Sequence, residues 1–317
     1  MSRPIMLVDA LNLFMRHFVV NPSMSKNGEQ VGGIVGFLKS LQLLIDENRP
    51  ESLYVIWEGG GSARRRAIFP EYKNGRRPAK LNRYYEDDIP DTIGNRNAQV
   101  NCIVKLLKST GVKQIYVENC EADDAIGYIA QNKFRDREIV IVSSDKDYYQ
   151  LLKESRIKIW SPGQKSYIET KSVRERFGCL PENFCTIRCF VGDGSDGLPG
   201  VKGAGFPTMI KRFPELTGDE HVSVESIVTK CMELSNSSKV QLFSNIVEEG
   251  EIAKRNWRLM YLDVGNLSAE HIKKLEHSLD TPPEGQNRMN FMRTLNERGI
   301  QGFDVNKFFM SISLLNH

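Results

Sequence analysis

Cysteine is scarce and badly placed for the roles it usually fills. The six residues Cys102, Cys120, Cys179, Cys185, Cys189 and Cys231 contain no C-x-x-C pair, and none has a histidine at zinc-ligand spacing. Zinc fingers and a disulfide framework are therefore excluded, and buried free thiols in a reducing compartment are expected. No apolar run approaches the roughly 18 residues of a membrane span, and Asp9 and Asn12 interrupt the first apolar stretch, so no signal peptide is expected. Internal repeats and low-complexity tracts are lacking too. A soluble, intracellular, monomeric chain with no membrane partner is the expectation. Bulk charge says little, since 43 Lys and Arg against 40 Asp and Glu leave a net charge of +3.

Acids at the ends of short apolar runs are what the chain has in excess. PIMLV leads into Asp9, LYVIW into Glu58, YVENC to Glu121, Asp123 and Asp124, and EIVIVSS into Asp145 and Asp147. Such runs read as buried strands of an α/β sheet, which gathers its ligand sites beyond the carboxyl ends of its strands. Converging carboxylates repel one another unless cations neutralise them, which points to an oxygen-ligated Mg²⁺ or Mn²⁺ site. A further pair, Asp193 and Asp196, lies in a glycine-rich loop, giving nine candidate acids in all. Nine exceed the need of one ion and suit two-metal phosphodiester hydrolysis.

Charge of the other sign is concentrated. Between Arg64 and Arg83 stand eight Lys or Arg residues and one acid, Glu71, which reads as a phosphate-binding surface, part helix and part arch. Helices are predicted over 33–45, 97–110 and 121–132, strands over 53–57, 114–117, 138–142 and 156–160, and a capped helix start at SSDKDYYQLL. Trp57, ending a strand, is read as core. From Pro181 onward no strand pattern is convincing, and helical stretches are expected near 182–191, 208–213, 224–234 and 268–279. The loop GDGSDGLPGVKGAGFPTMIKRF combines Gly200, Gly203 and Gly205 with Lys202, Lys211 and Arg212 ahead of a helix starting near Pro207. Unpaired N–H groups and small residues there suit a duplex phosphate backbone.

The ordered motifs LVDALNLFMR, PEYKNGR, EADDAIG, VSSDKDYYQLL and GDGSDGLPGVKGAG resemble those of the 5′-nuclease superfamily, over about residues 4 to 213. That group comprises flap endonucleases, the 5′-nuclease domain of bacterial DNA polymerase I, and phage 5′–3′ exonucleases and RNase H; WSPGQKSYI and YLDVGNLSAEHI are more similar to the phage RNase H branch. The resemblance implies a PIN-like, doubly wound, mostly parallel α/β sheet in residues 1–180 with a helical arch at about 64–96. A helix-three-turn-helix and C-terminal helical domain would follow in 181–317.

It also implies a first metal site from Asp9, Glu58, Glu121 and Asp123, and a second from Asp123, Asp145, Asp147, Asp193 and Asp196, with Asp124 in support. Two or more Mg²⁺ ions are implied, replaceable by Mn²⁺, with K⁺ at the helix-three-turn-helix. Lys73 and Arg76 would act on the scissile phosphate, Tyr72 would stack a base, and Arg65 would add a phosphate contact. The implied activity is removal of RNA primers or 5′ flaps in replication, on DNA with a 5′ flap or nick and on RNA–DNA hybrids, in a bacterial or phage-infected cytoplasm. Glu58 replaces the usual Asp, Ala10 a Gly, and Gly197 the Asn of the SDN form.

Tyr84 and Tyr85 are further stacking candidates. The tail FDVNKFFMSISLL is apolar enough to dock on a sliding clamp or single-strand-binding protein, or else to pack on its own domain. Two rival functions remain at this level: a PIN-like single-strand ribonuclease, which would not need the duplex element, and a non-catalytic junction-binding protein.

Overall fold

The structure, a computed structural model, describes residues 3–74 and 92–315. Six strands form one sheet: β1 (Ile5–Asp9), β2 (Ser52–Trp57), β3 (Lys113–Tyr116), β4 (Ile139–Val142), β5 (Ile157–Ser161) and β6 (Ser166–Ile168). Their order is β3-β2-β1-β4-β5-β6, with β6 antiparallel to β5 and every other pairing parallel. Every residue of β1 and β4 is buried, as strands covered on both faces require. Asp9 pairs in register with Ile56, and Val8 with Val142, so the carboxyl ends of β1, β2 and β4 open on one rim.

The helices in chain order are α1 (Ala10–Val20), α2 (Gly32–Asn48), α3 (Ala63–Ile68), α4 (Thr92–Lys108), α5 (Ala122–Tyr128), α6 (Thr170–Phe177) and α7 (Pro181–Val191). They continue with α8 (Phe206–Arg212), α9 (Val224–Ser235), α10 (Gln241–Met260), α11 (Ala269–Asp280), α12 (Arg288–Glu297) and α13 (Val305–Ile312). Alternation along each strand splits the core in two. Met6, Val8, Val55, Trp57 and Val142 face α1, α2, α4, α12 and α13, whereas Leu7, Ile56, Ile139 and Ile141 face α5, α7, α9, α10 and α11. Trp57 is core, its ring stacked on Phe37 at 6.1 Å.

Helices after Pro181 thus build both faces of the sheet. In the tail, Phe308, Phe309 and Ile312 of α13 are buried in the core shared with α2, so these side chains are unavailable to a partner. All six cysteines are free and buried. Among the described residues no helix is long and apolar enough to cross a membrane.

Local structure departs from the sequence expectations in places. SSDKDYYQLL forms a 3₁₀ turn, Lys146–Leu151, because the Asp145 side chain accepts from Asp147 N at 2.9 Å and tightens the first turn. The helix expected over 121–132 is α-helical only to Tyr128 and continues as a π turn over Ile129–Lys133. Strand β6 and helices α1, α6, α10 and α12 were not anticipated.

Candidate active site

Asp9 ends β1 and caps α1. Its Oδ1 accepts from Asn12 N at 3.1 Å, and its Oδ2 from Ser143 Oγ at 3.1 Å and the Tyr148 hydroxyl at 3.2 Å. Asn12 Oδ1 in turn accepts from Ser144 N at 2.9 Å, tying the end of β4 to α1. Glu121 stands just ahead of α5, and Asp123 and Asp124 occupy its first turn.

A buried cation holds these three acids together. Arg65 of α3, only 1 % exposed, sets Nη1 2.9 Å from Glu121 Oε2 and 3.2 Å from Asp123 Oδ1. It grips Asp124 with both prongs of its fork, at 2.8 and 2.9 Å, and donates from Nε to the Leu259 carbonyl at 2.8 Å. Lys73 adds a second charge, its Nζ 2.6 Å from Glu121 Oε2, while the Tyr72 hydroxyl donates to the same oxygen at 3.2 Å. Lys73 has a left-handed backbone, φ 61°, and its N–H donates to the Asp196 carbonyl at 3.0 Å, which brings the glycine-rich loop to the acid rim.

Arg188 of α7 serves the other acids. Its Nε lies 3.1 Å from Asp147 Oδ1, and it also pairs with Asp193. Asp193 Oδ1 accepts from Ser195 N and Oγ at 2.9 and 2.7 Å. Sequence reasoning missed Arg188, Ser143, Tyr148 and Asn12. Asn12 lies inside the first motif, Tyr148 beside Asp147 and Arg188 five positions before Asp193, so proximity to acids was the available signal; only the Arg188 partner Asp147, 41 positions earlier in the chain, gave none.

Burial dominates the electrostatics. The Asp9 carboxyl is pushed up to about 7 by burial, against its Asn12 and Ser143 hydrogen bonds and with help from the Asp145 and Glu58 charges. Burial, then the Asp145 charge, raises Asp147 well above the carboxylate range, and burial raises Asp145, with Asp123 and Asp196 adding repulsion. Lys73 is raised: burial would lower it, but Asp123, Glu121 and Asp196 outweigh that. Asp193 is lowered because Arg188 overcomes its burial.

Asp9, Glu58, Lys73, Glu121, Asp123 and Asp145 line one cavity of about 210 Å³. Roomier cavities, of about 440, 470 and 350 Å³, lie elsewhere, near Gln30, near Arg156 and near Tyr167. The smaller one is where the charge converges. Its donors are carboxylate oxygens, those of Asp9 and Asp145 raised in basicity by burial, which fits a hard divalent cation in kind and in place. Among the described residues no three acidic, His or Cys side chains are gathered as an ion's ligand set, since Arg65, Lys73 and Arg188 draw several acids to themselves. An entering cation would compete with these three.

Three expected roles change with the geometry. Arg65 is buried among acids, and its fork is already filled, so it presents no surface to a phosphate. Tyr72, 5 % exposed and bonded to Glu121, offers no face for base stacking. Gly200 faces the protein, where a Cβ would meet the Val191 carbonyl oxygen at 2.1 Å, so it is required by backbone packing. Lys202, Gly203 and Lys211 are exposed, and Gly205, half-buried, caps α8. Gly197, at φ 72°, takes a conformation that Gly or Asn adopts most readily, which accounts for the departure from Asn. Arg76, Tyr84, Tyr85 and most of the arch lie outside the described residues.

Comparison with known proteins places this architecture. Residues 4–178 match the family described as 5′-3′ exonuclease, N-terminal resolvase-like domain. A 5′-3′ exonuclease of Buchnera aphidicola (subsp. Schizaphis graminum) is 27% identical over 76% of this chain and 81% of its own. The thermostable DNA polymerase I of Thermus thermophilus is 30% identical over 67% of this chain, which spans only 24% of that longer protein. The bacteriophage T5 flap endonuclease, solved as a pseudo-enzyme–product complex with DNA and metal ions, shares the fold with a TM-score of 0.69 and 20% identity, over 87% of this chain and 98% of that one. With the family match running over more than half its length, the chain belongs to the 5′–3′ exonuclease family and is a nuclease.

Proposed function

We propose that this nuclease is Mg²⁺-dependent and structure-specific, hydrolysing 5′ flaps, nicked DNA ends and RNA–DNA hybrids during replication, as primer or flap removal requires. The observation that carries the reading is the convergence of acids from the ends of β1, β2 and β4 and the start of α5 on one cavity beside Lys73. Asp9, Glu58, Glu121 and Asp123 would hold one ion, and Asp123, Asp145, Asp147, Asp193 and Asp196 a second, with Asp124 in support. Bound there, divalent ions supply an activated water and neutralise the leaving oxygen. Mn²⁺ would serve in place of Mg²⁺ through the same oxygen donors.

The chain's own residues do the rest. Ser143, Tyr148 and Asn12 N fix both oxygens of Asp9. Arg65 and Arg188 keep the acids gathered until cations arrive. Lys73, with Arg76 nearby in sequence, would contact the scissile phosphate and stabilise charge that develops there. Residues 1–180 would form the nuclease unit. Residues 181–317 would grip duplex through Lys202, Gly203, Gly205, Lys211 and a K⁺ ion. A partner such as a sliding clamp or single-strand-binding protein would have to use surfaces other than the buried face of α13.

Lys73→Ala separates chemistry from binding. Single-turnover cleavage at saturating enzyme should fall about 10²-fold, a few kcal/mol, with affinity little changed. Full rescue by saturation would leave Lys73 a steering charge only. Gly203, exposed at φ 84°, admits a β-branched residue only with backbone strain. Gly203→Val should therefore weaken binding to nicked duplex about tenfold and leave single strands unaffected, read by titration in Ca²⁺; equal losses on both would refute the duplex role.

A further inference from the structure

Beside the acid cavity, α3 and the C-terminal half of α10 meet in a group of arginines. The Arg255 guanidinium sits 4.3 Å from the centre of the Phe69 ring, and Arg65 Nε bonds the Leu259 carbonyl at 2.8 Å, so α3 is pinned to α10 at two points. Arg255 and Arg258 are three positions apart and share a face of the helix. Arg64 lies within electrostatic reach of Arg65 and Arg258, with Asp124 and Asp123 opposing them, and burial followed by the Arg65 charge lowers its pKa.

The donors of this group are not satisfied. Arg64 Nε and Nη2, and Arg255 Nε, are shut off from water with no acceptor among the described residues. Arg255 Nη2 bonds the neutral Asn256 Oδ1 at 3.2 Å, the charge of Glu71 acts on it without a hydrogen bond, and Arg258 is exposed. Gathering like charges and burying guanidinium N–H groups without acceptors both cost free energy, and a bound anion would relieve both. The guanidinium fork matches a phosphate.

Position on α10 selects which phosphate. The N-terminal half of this helix holds the glycine-rich loop, with Asn245 Nδ2 on the Lys202 carbonyl and Glu249 on the Lys202 N–H, each at 2.8 Å. Arg258 follows Asn245 by 13 residues, about 20 Å along the helix axis. The arginines therefore adjoin the acid cavity through Arg65, and although Asn256 Nδ2 ties this end of α10 to the Pro199 carbonyl at 2.8 Å, the exposed Lys202 of the glycine-rich loop is held toward the helix's other end. We infer that Arg64, Arg255 and Arg258 form a phosphate site for the 5′ single strand of the substrate, an assignment that rests on the nuclease reading above.

The test is an anisotropy titration in Ca²⁺ of wild type, Arg64→Gln, Arg258→Gln and the two lysine variants, on a nicked duplex with and without a long 5′ flap. Each glutamine variant should weaken flap binding about three- to tenfold and make its salt dependence shallower by about 0.7 for each phosphate that the arginine no longer neutralises. Flapless duplex should bind as before, and lysine should restore part of the affinity. Equal weakening on both substrates, or unchanged flap affinity in both glutamine variants, would overturn the site while leaving the nuclease reading intact. Wild type binding neither substrate would instead overturn that reading, and this site with it. Arg258 is exposed, so its variant reports even if Arg64→Gln fails to fold.

Discussion

Asp145→Asn should reduce single-turnover cleavage of a 5′-flapped substrate by about 10³-fold or more, equivalent to roughly 4 kcal/mol, while binding in Ca²⁺ persists. The substitution removes one charge and keeps the shape. Asparagine retains the oxygen that accepts from Asp147 N, now at 2.9 Å, so the cap of the Lys146–Leu151 turn survives and the fold with it. Loss of activity would then report on charge at the cavity rather than on unfolding. Turnover undiminished at saturating Mg²⁺ would remove Asp145 from the ligand set.

Arg65→Ala should cost about 3–5 kcal/mol of stability, because it strips the countercharge from a buried group of acids. Glu121, Asp123 and Asp124 all lie within 3.2 Å of Arg65 Nη1, and Glu121 and Asp124 have side chains only 3% exposed. For a chain of this length that corresponds to a fall in melting temperature of roughly 5–8 °C. Mg²⁺ should recover part of the loss by supplying charge to the same carboxylates. Lysine should recover little, since it lacks the fork that meets both Asp124 oxygens. A variant with wild-type melting and weakened DNA binding would restore the surface-contact role that composition had suggested.

The contrast between these two residues shows what a single sequence carries. Asp145 was legible because strand β4 is a short run of branched residues, and a chain leaving such a strand arrives at the carboxyl rim whatever else surrounds it. The same logic located Asp9, Glu58 and the Glu121 cluster. Arg65 was misread because its neighbours in sequence are basic, whereas its partners Glu121, Asp123 and Asp124 lie 56 to 59 positions away. The same holds for Arg188 and its partner Asp147, 41 positions away, although its other partner, Asp193, stands five residues on.

Secondary structure divided along similar lines. Strands β1, β2 and β4 follow from dense apolar runs and β3 and β5 from mixed ones, but β6 has three residues and no pattern to detect. Among the described residues α10 is the longest helix, at 20 residues, yet its apolar positions are interleaved with Glu248, Glu249, Glu251, Lys254 and Arg255. Its buried positions, among them Leu242, Ile246, Gly250, Ala253, Asn256 and Met260, do recur at helical spacing, but Gly250 and Asn256 carry no apolar signal in the sequence.

The most direct measurement follows a 5′-labelled flap, a nicked duplex and an RNA–DNA hybrid through incubation with the wild-type protein in Mg²⁺, then in Mg²⁺ with excess chelator, with products sized against a ladder. The expected result is short labelled fragments released from the 5′ side in Mg²⁺ alone, with flap junctions cut near the branch and single-stranded RNA left intact. Binding without cleavage in either condition, or cleavage that survives the chelator, would contradict the assignment of the carboxylate cavity to metal-dependent 5′ hydrolysis.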